Sequence, residues 1–256
     1  MLVKGFYDYC RKLLDEIQRE EAAALEKAAD MIATAVAGGH NFFIHDRGHC
    51  IGGELLARAG GAVFVRRLDL AIPDPTLQAP HTGSRKASRE KLSGQALVQR
   101  KRKFEAEYVD YLFDINGLAK DDVLFLNSNS GYGFAATNVA AAAKRKGLKL
   151  IIMSSKQTSE AVTPEGGDKK LAEYADILFD NHAPYGDAVF ELKGLEEKIW
   201  PASGMGAAFI AWPLILRTVE KLQEKGVSPS IFRSANIPGG PDQNAAVTKH
   251  YEDFGY

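Results

Sequence analysis

The stretch of this sequence richest in chemistry is Asn127-Ser128-Asn129-Ser130-Gly131, which follows the apolar run Val123–Leu126 and precedes Phe134–Lys144, a segment of strong helix formers. Such a unit reads as strand, polar turn, helix. The first turn of a helix has unpaired N–H groups and a positive dipole end, and serine hydroxyls beside it can donate further hydrogen bonds, so the unit is an anion cradle suited to phosphate. The same residues also have a purely structural reading, with Ser130 capping the helix and Gly131 easing the turn. A second unit of the same plan runs from Asn41–Asp46 into Arg47-Gly48-His49-Cys50, with Glu54 one helical turn after Cys50. Two more polar clusters end apolar runs: Ser154-Ser155-Lys156, and Asp180-Asn181-His182 followed by Tyr185-Gly186-Asp187.

The elements that position these clusters follow from hydrophobic spacing. Apolar residues from Phe6 to Val36 recur at three- and four-residue steps opposite charged ones, which predicts one long or two consecutive amphipathic helices stopped by Gly38-Gly39. Short apolar runs beginning at Asn41, Ala62, Val123, Lys149 and Ala175 predict five strands, with helices expected at Glu54–Ala59, Val139–Arg145 and Lys169–Tyr174. Strands alternating with helices make an α/β fold with a mostly parallel sheet covered on both faces. Beyond residue 182 the sequence predicts a hairpin over Ala188–Leu192 and Lys198–Ala202. A long helix over Ser203–Lys225 follows, kinked by Pro213, and then an irregular C-terminal tail. In such folds ligands sit at the carboxyl ends of the strands, and every polar cluster named above falls there.

The 256 residues are 45% hydrophobic and 25% charged, enough for one large α/β core. One domain is expected, divided into a helical arm over 1–40, a sheet core over 41–182, and the hairpin, long helix and tail over 183–256. The net charge of −1 gives no global case for nucleic acid or an anionic membrane as partner. Cys10 and Cys50 form no Cys-x-x-Cys pair, and no stretch is apolar enough to span a membrane, which points to the cytoplasm. Residues 72–103 interrupt the alternation with prolines and glycines and then a basic run ending in Arg100-Lys101-Arg102-Lys103. They read either as a lid carrying positive charge or, in the basic part, as the solvated face of a helix leading into Phe104–Phe113.

The ordered set of a Gly-His turn, Gly-Glu-Leu-Leu-Ala-Arg-Ala-Gly-Gly at 53–61, Ser128–Gly131, Asp-Asn-His-Ala-Pro-Tyr-Gly-Asp at 180–187 and Ser-Ala-Asn-Ile-Pro-Gly-Gly at 234–240 resembles the sugar-isomerase (SIS) domain family. The likeness is greatest to a bacterial, phosphoheptose-isomerase-like branch with a single SIS domain, and it covers about residues 3–250. It implies a five-stranded parallel sheet in a flavodoxin-like three-layer sandwich, a homodimer or homotetramer through the flanking helices, and a sugar phosphate or acidic sugar at the strand ends. It also implies aldose–ketose isomerisation without a redox cofactor or metal.

Carried over by position, the resemblance implies that Ser128, Ser130 and the Gly131 amide hold the phosphate, with Asn127, Asn129 and Ser155 around them. Glu54 would be the enolising base, with Asp187 as an alternative carboxylate, and His49 or His182 would open the sugar ring. Where relatives commonly read Gly-Thr-Gly-His-Ser or Gly-Ser-Gly-His-Ser, this chain has Asp46-Arg47-Gly48-His49-Cys50. Arg47, next to Gly48 in this turn, either clamps a second acidic group on the substrate or pairs with Asp46 and plays no part in the chemistry. A lyase reaction at the same carboxylate and a non-catalytic sugar-phosphate sensor are the alternative functions. His45, His49 and His182 form a weaker, metal-binding reading.

Overall fold

The computed structural model describes residues 1–47, 51–68, 70, 95–165 and 169–256. The turn residues Gly48, His49 and Cys50, and the lid expected over 72–94, lie outside the described residues.

Five parallel strands form one sheet: β1 (Phe42–Asp46), β2 (Val65–Arg67), β3 (Val123–Asn127), β4 (Lys149–Ser154) and β5 (Ile177–Asp180). Their order is β2-β1-β3-β4-β5, which is the flavodoxin-like order with its reversal between β1 and β3. Register carries the polar clusters to one edge, with Asp46 opposite Asn127 and Ser154 opposite Asp180.

Successive strand residues point to opposite faces, so each face has its own core. On one side Phe42, Ile44, Phe125, Ile151, Met153 and Phe179 pack under the N-terminal helices α1 (Leu2–Glu20) and α2 (Ala22–Ala37) and under a later helix, Ser203–Glu224. On the other, Phe43, Leu124, Leu126, Leu150 and Ile152 pack under α4 (Gln95–Ile115) and α5 (Phe134–Lys146). The short helices α3 (Ile51–Leu55) and α6 (Lys156–Ala161) follow β1 and β4, and a 3-10 turn spans Leu171–Tyr174. A separate antiparallel hairpin, β6 (Ala188–Phe190) with β7 (Ile199–Pro201), precedes the Ser203–Glu224 helix, α7. No described helix is long and apolar enough to cross a membrane.

Four expectations need correction. The helix placed at Glu54–Ala59 is Ile51–Leu55, because Ala57 takes a left-handed backbone (φ +52°) that a helix cannot continue through. The strand placed from Ala62 begins at Val65; Ala62 instead bridges Ile231, and Val63 N–H donates to the Ser230 carbonyl, so the C-terminal segment occupies that backbone. The tail is irregular only as far as Gly239, since Gly240–Phe254 is a helix, α8. Its Gly-Pro opening resembled a loop, yet proline's fixed φ suits a helix's first turn. Finally, residues 95–103 of the expected lid are the start of α4, as in the helical reading of the basic run. Pro213 lies inside α7, which runs unbroken through it.

Candidate functional site at the carboxyl edge of the sheet

The end of β1 is locked to the end of β3. Asn127 Nδ2 donates to Asp46 Oδ1 at 2.8 Å, the Gly52 amide donates to Asp46 Oδ2 at 2.9 Å, and the Arg47 amide donates to the Asn127 carbonyl at 2.8 Å. Asp46 thus fixes both the strand pair and the start of α3. Arg47, whose side chain is exposed, leaves this anchored backbone at the rim of the edge.

The hydroxyls beyond β3 sit in a self-bonded turn. Ser128 is buried and its Oγ accepts the Gly131 N–H at 3.3 Å, while Ser130 Oγ accepts the Tyr132 N–H at 3.2 Å. The Gly131 amide, expected to face an anion, is therefore directed at Ser128. Each serine still has its own O–H to donate. Gly131 itself is required twice over: its φ is +61°, and a Cβ there would stand 2.6 Å from Leu171 Cβ. Ser130 does not cap α5; Gly133 does, without a side-chain bond.

Asn129 ties this turn to the far strands. Its Oδ1 accepts from Asn181 Nδ2 at 3.0 Å, and its carbonyl accepts the Ser155 amide at 2.9 Å. Ser155 is fully buried, caps α6 by accepting the Thr158 N–H, and donates to the Ala183 carbonyl at 2.7 Å. These bonds make Ser155 a clasp between β4 and the segment after β5. The adjoining His182 has a left-handed backbone (φ +55°), and its Nε2 lies 3.1 Å from Glu21 Oε1.

Glu21 stands at the junction of α1 and α2, and its second oxygen accepts the Asp180 amide at 3.4 Å. It also lines a cavity of about 280 Å³ with Ser154, Lys156, Ser159, Lys170 and Asp180. Burial pushes the Glu21 carboxyl above its ordinary 4.5, and the contacts with His182 and the Asp180 amide pull it partway back. In the window between 4.5 and the raised value, the native state holds a proton that the unfolded chain has released. This contribution is complete below 4.5 and is lost as pH rises through the native value. Glu21→Gln is expected to flatten that part of the profile, read by chemical denaturation from about pH 4 to pH 7. An unchanged slope would assign the dependence to another group.

Glu54 lies apart from these bonds, where α3 meets α7. Its carboxylate accepts from Arg58 one helical turn on and from Trp212 Nε1 at 3.4 Å. Asp187 (φ +67°) spends both oxygens on the start of α7, accepting the Ser203 N–H at 2.8 Å and the Ser203 hydroxyl at 2.7 Å. His45 is buried, with Nδ1 3.0 Å from the Leu68 carbonyl, and His182 faces Glu21, so the metal reading loses two of its three ligands to other partners.

Asp46, Arg47 and Asn127 therefore come together, as do Asn129, Ser155, Asn181 and the His182 backbone. The side chains of Glu54 and Asp187 are held elsewhere by α7. Two contacting residues escaped the sequence reading. Glu21 meets His182 across 161 residues and sits among ordinary helix charges, so nothing local marked it; Trp212 lies in an apolar helix, where an indole reads as core packing.

A family profile described as the SIS domain matches residues 5–155. The chain belongs to the SIS domain family. The match runs from α1 to Ser155 and includes Glu54 and Ser128–Gly131, while His182 and Asp187 lie beyond it. Relatives cover the whole length. A UPF0309 protein of Halalkalibacterium halodurans is 30% identical over 256 residues, 98% of this SIS protein and 99% of the relative. A UPF0309 protein of Listeria monocytogenes is 30% identical over 252 residues, covering 97% and 96%. Among solved structures, the phosphoheptose isomerase GmhA of Neisseria gonorrhoeae aligns at 11% identity with a TM-score of 0.49, covering 87% of this chain and 97% of that one.

Proposed function

We propose that this SIS protein is an isomerase that interconverts the aldose and ketose forms of a phosphorylated or otherwise acidic sugar by enediol proton transfer. The observation that carries the reading is the pair of serines, 128 and 130, at the end of a fully buried strand, each with its O–H left to donate. In this reading the two hydroxyls hold the phosphate, and Arg47 at the rim takes a second acidic group. Glu54 removes the C2 proton of the open-chain aldose and returns it to C1, while a proton passes from O2 to O1; Arg58 and Trp212 orient the carboxylate for both transfers. His182, or His49, supplies the acid–base group for ring opening.

Ser130→Ala is expected to weaken sugar-phosphate binding about 10- to 100-fold, the scale of one hydrogen bond to a charged group. Calorimetry on a ligand found by thermal-shift screening of aldose and ketose phosphates reads the change, and unaltered affinity would remove the cradle. One observation favours the sensor alternative: both Glu54 oxygens already have protein partners. NMR of the ligand in deuterated water separates the two. Exchange at C2 with product formation marks an isomerase, and binding without exchange marks a sensor.

A further inference from the structure

The ends of β4 and β5 border a cavity of about 280 Å³ whose polar walls the proposed reaction does not use. Ser154, the last residue of β4, is 2% exposed and lines the cavity, and its hydroxyl has no partner among the described residues. A hydroxyl taken out of bulk water without a partner destabilises a fold, so its place on a cavity wall points to an occupant. Opposite it in register stands Asp180, on the neighbouring strand about 4.8 Å away. Oδ1 of this carboxylate accepts the amides of Lys156 at 3.0 Å and His182 at 2.9 Å, which fixes the group and leaves Oδ2 without a partner among the described residues. Strand pairing thus holds a hydroxyl and a carboxylate side by side, ready for a ligand.

Charge decides what the cavity fits. Glu21, Glu160 and Asp180 line it together with Lys156 and Lys170. Three carboxyl groups oppose a phosphate or another carboxylate, and two ammonium groups oppose a free cation. A neutral molecule rich in hydroxyls meets both signs, since its O–H groups donate to the carboxylates and its oxygens accept from an ammonium or from Ser154. The rest of the wall is apolar, with Ala172, Leu178 and Phe179, which suits the C–H face of a sugar or polyol and which water alone would leave wetted. Size agrees, because the volume lies just below the range for drug-sized ligands and gives room for one sugar ring. The cavity is also separate from the anion cradle. Ser128–Gly131 are not among its lining residues, and Leu171, between Lys170 and Ala172 of its wall, packs against Gly131.

We propose that the cavity at the ends of β4 and β5 is a second binding site, which takes a neutral, unphosphorylated sugar or polyol through Ser154, Asp180 and Lys156. The proposal does not depend on the isomerase reading, since no residue of the cavity wall belongs to the catalytic set or to the cradle.

Saturation-transfer NMR on the full chain, with D-glucose, D-ribose and sorbitol as probes, tests the site. At least one probe should bind with a Kd on the order of 1 mM, preference for glucose or ribose marking a site for a ring and preference for sorbitol one for an open chain. Asp180→Asn keeps the Oδ1 acceptor that the two amides need and replaces Oδ2 with a donor, so it should weaken that binding about 10-fold, as should Ser154→Ala. Ala172→Met, which fills the cavity and removes none of its hydrogen-bonding groups, should abolish binding. Ser130→Ala, in the cradle, should leave the probe's affinity unchanged. The proposal is overturned if no probe saturates by about 20 mM, or if binding survives Ala172→Met undiminished. It is overturned equally if Ser130→Ala weakens the probe and Asp180→Asn does not, which would put the sugar in the cradle.

Discussion

Glu54→Gln is expected to lower the rate of aldose–ketose interconversion by about 10²- to 10⁴-fold, the range over which a positioned general base contributes. Solvent deuterium should no longer enter C2. Binding should be nearly unchanged, because glutamine keeps the length of the side chain and its carbonyl oxygen can still accept from Arg58 or Trp212. The expected signature is thus a fall in kcat with little change in KM. The carboxylate is 41% exposed at the side chain, so the replacement leaves no buried charge unpaired and the fold should be kept. Retained exchange in a folded Glu54→Gln protein would exclude this carboxylate and leave the enolising base to be found elsewhere.

The second large effect is structural. Gly206, in the first turn of α7, lies against the carbonyl of Asn181, and a Cβ there would overlap that oxygen. The colliding partner is backbone, which cannot swing aside as a side-chain tip can. Asn181 is also 1% exposed and bonded to Asn129 and to the Ala183 amide. Gly206→Ala is therefore expected to cost about 2–4 kcal/mol, and to lower Tm by about 5–10 °C in a chain of this size. It should also weaken ligand binding, since the displaced backbone is the one that orders Asn129. Scanning calorimetry and the thermal-shift response to the ligand measure both, and a Tm within a degree of the parent would show that α7 can slide freely over β5.

How much of this was legible in the sequence depends on how local each cause is. The strand, polar turn, helix plan at Val123–Lys146 could be read because hydrophobic run, hydroxyls and alanine-rich helix all lie within 24 residues. The two-faced core followed from short, continuously apolar runs alternating with helices, the pattern of a sheet covered on both faces. Gly131 was read correctly as a turn glycine, but Leu171 as the second reason for it was invisible, being 40 residues away. The same limit hid Glu21 beneath His182 and the antiparallel contact that displaced the start of β2. Asp187 illustrates the opposite error: a carboxylate in a polar cluster reads as chemistry, whereas both oxygens hold the amide and hydroxyl of Ser203.

The bond between Asp46 and Asn127 has one more consequence, which concerns chain length. It joins residues 81 apart, so pairing β1 with β3 at the centre of the sheet closes a large loop. Closure entropy grows only with the logarithm of loop length, so twenty further residues between β2 and α4 would cost about 0.2 kcal/mol. A deletion there would gain equally little. The length of that connection is therefore almost invisible to folding stability.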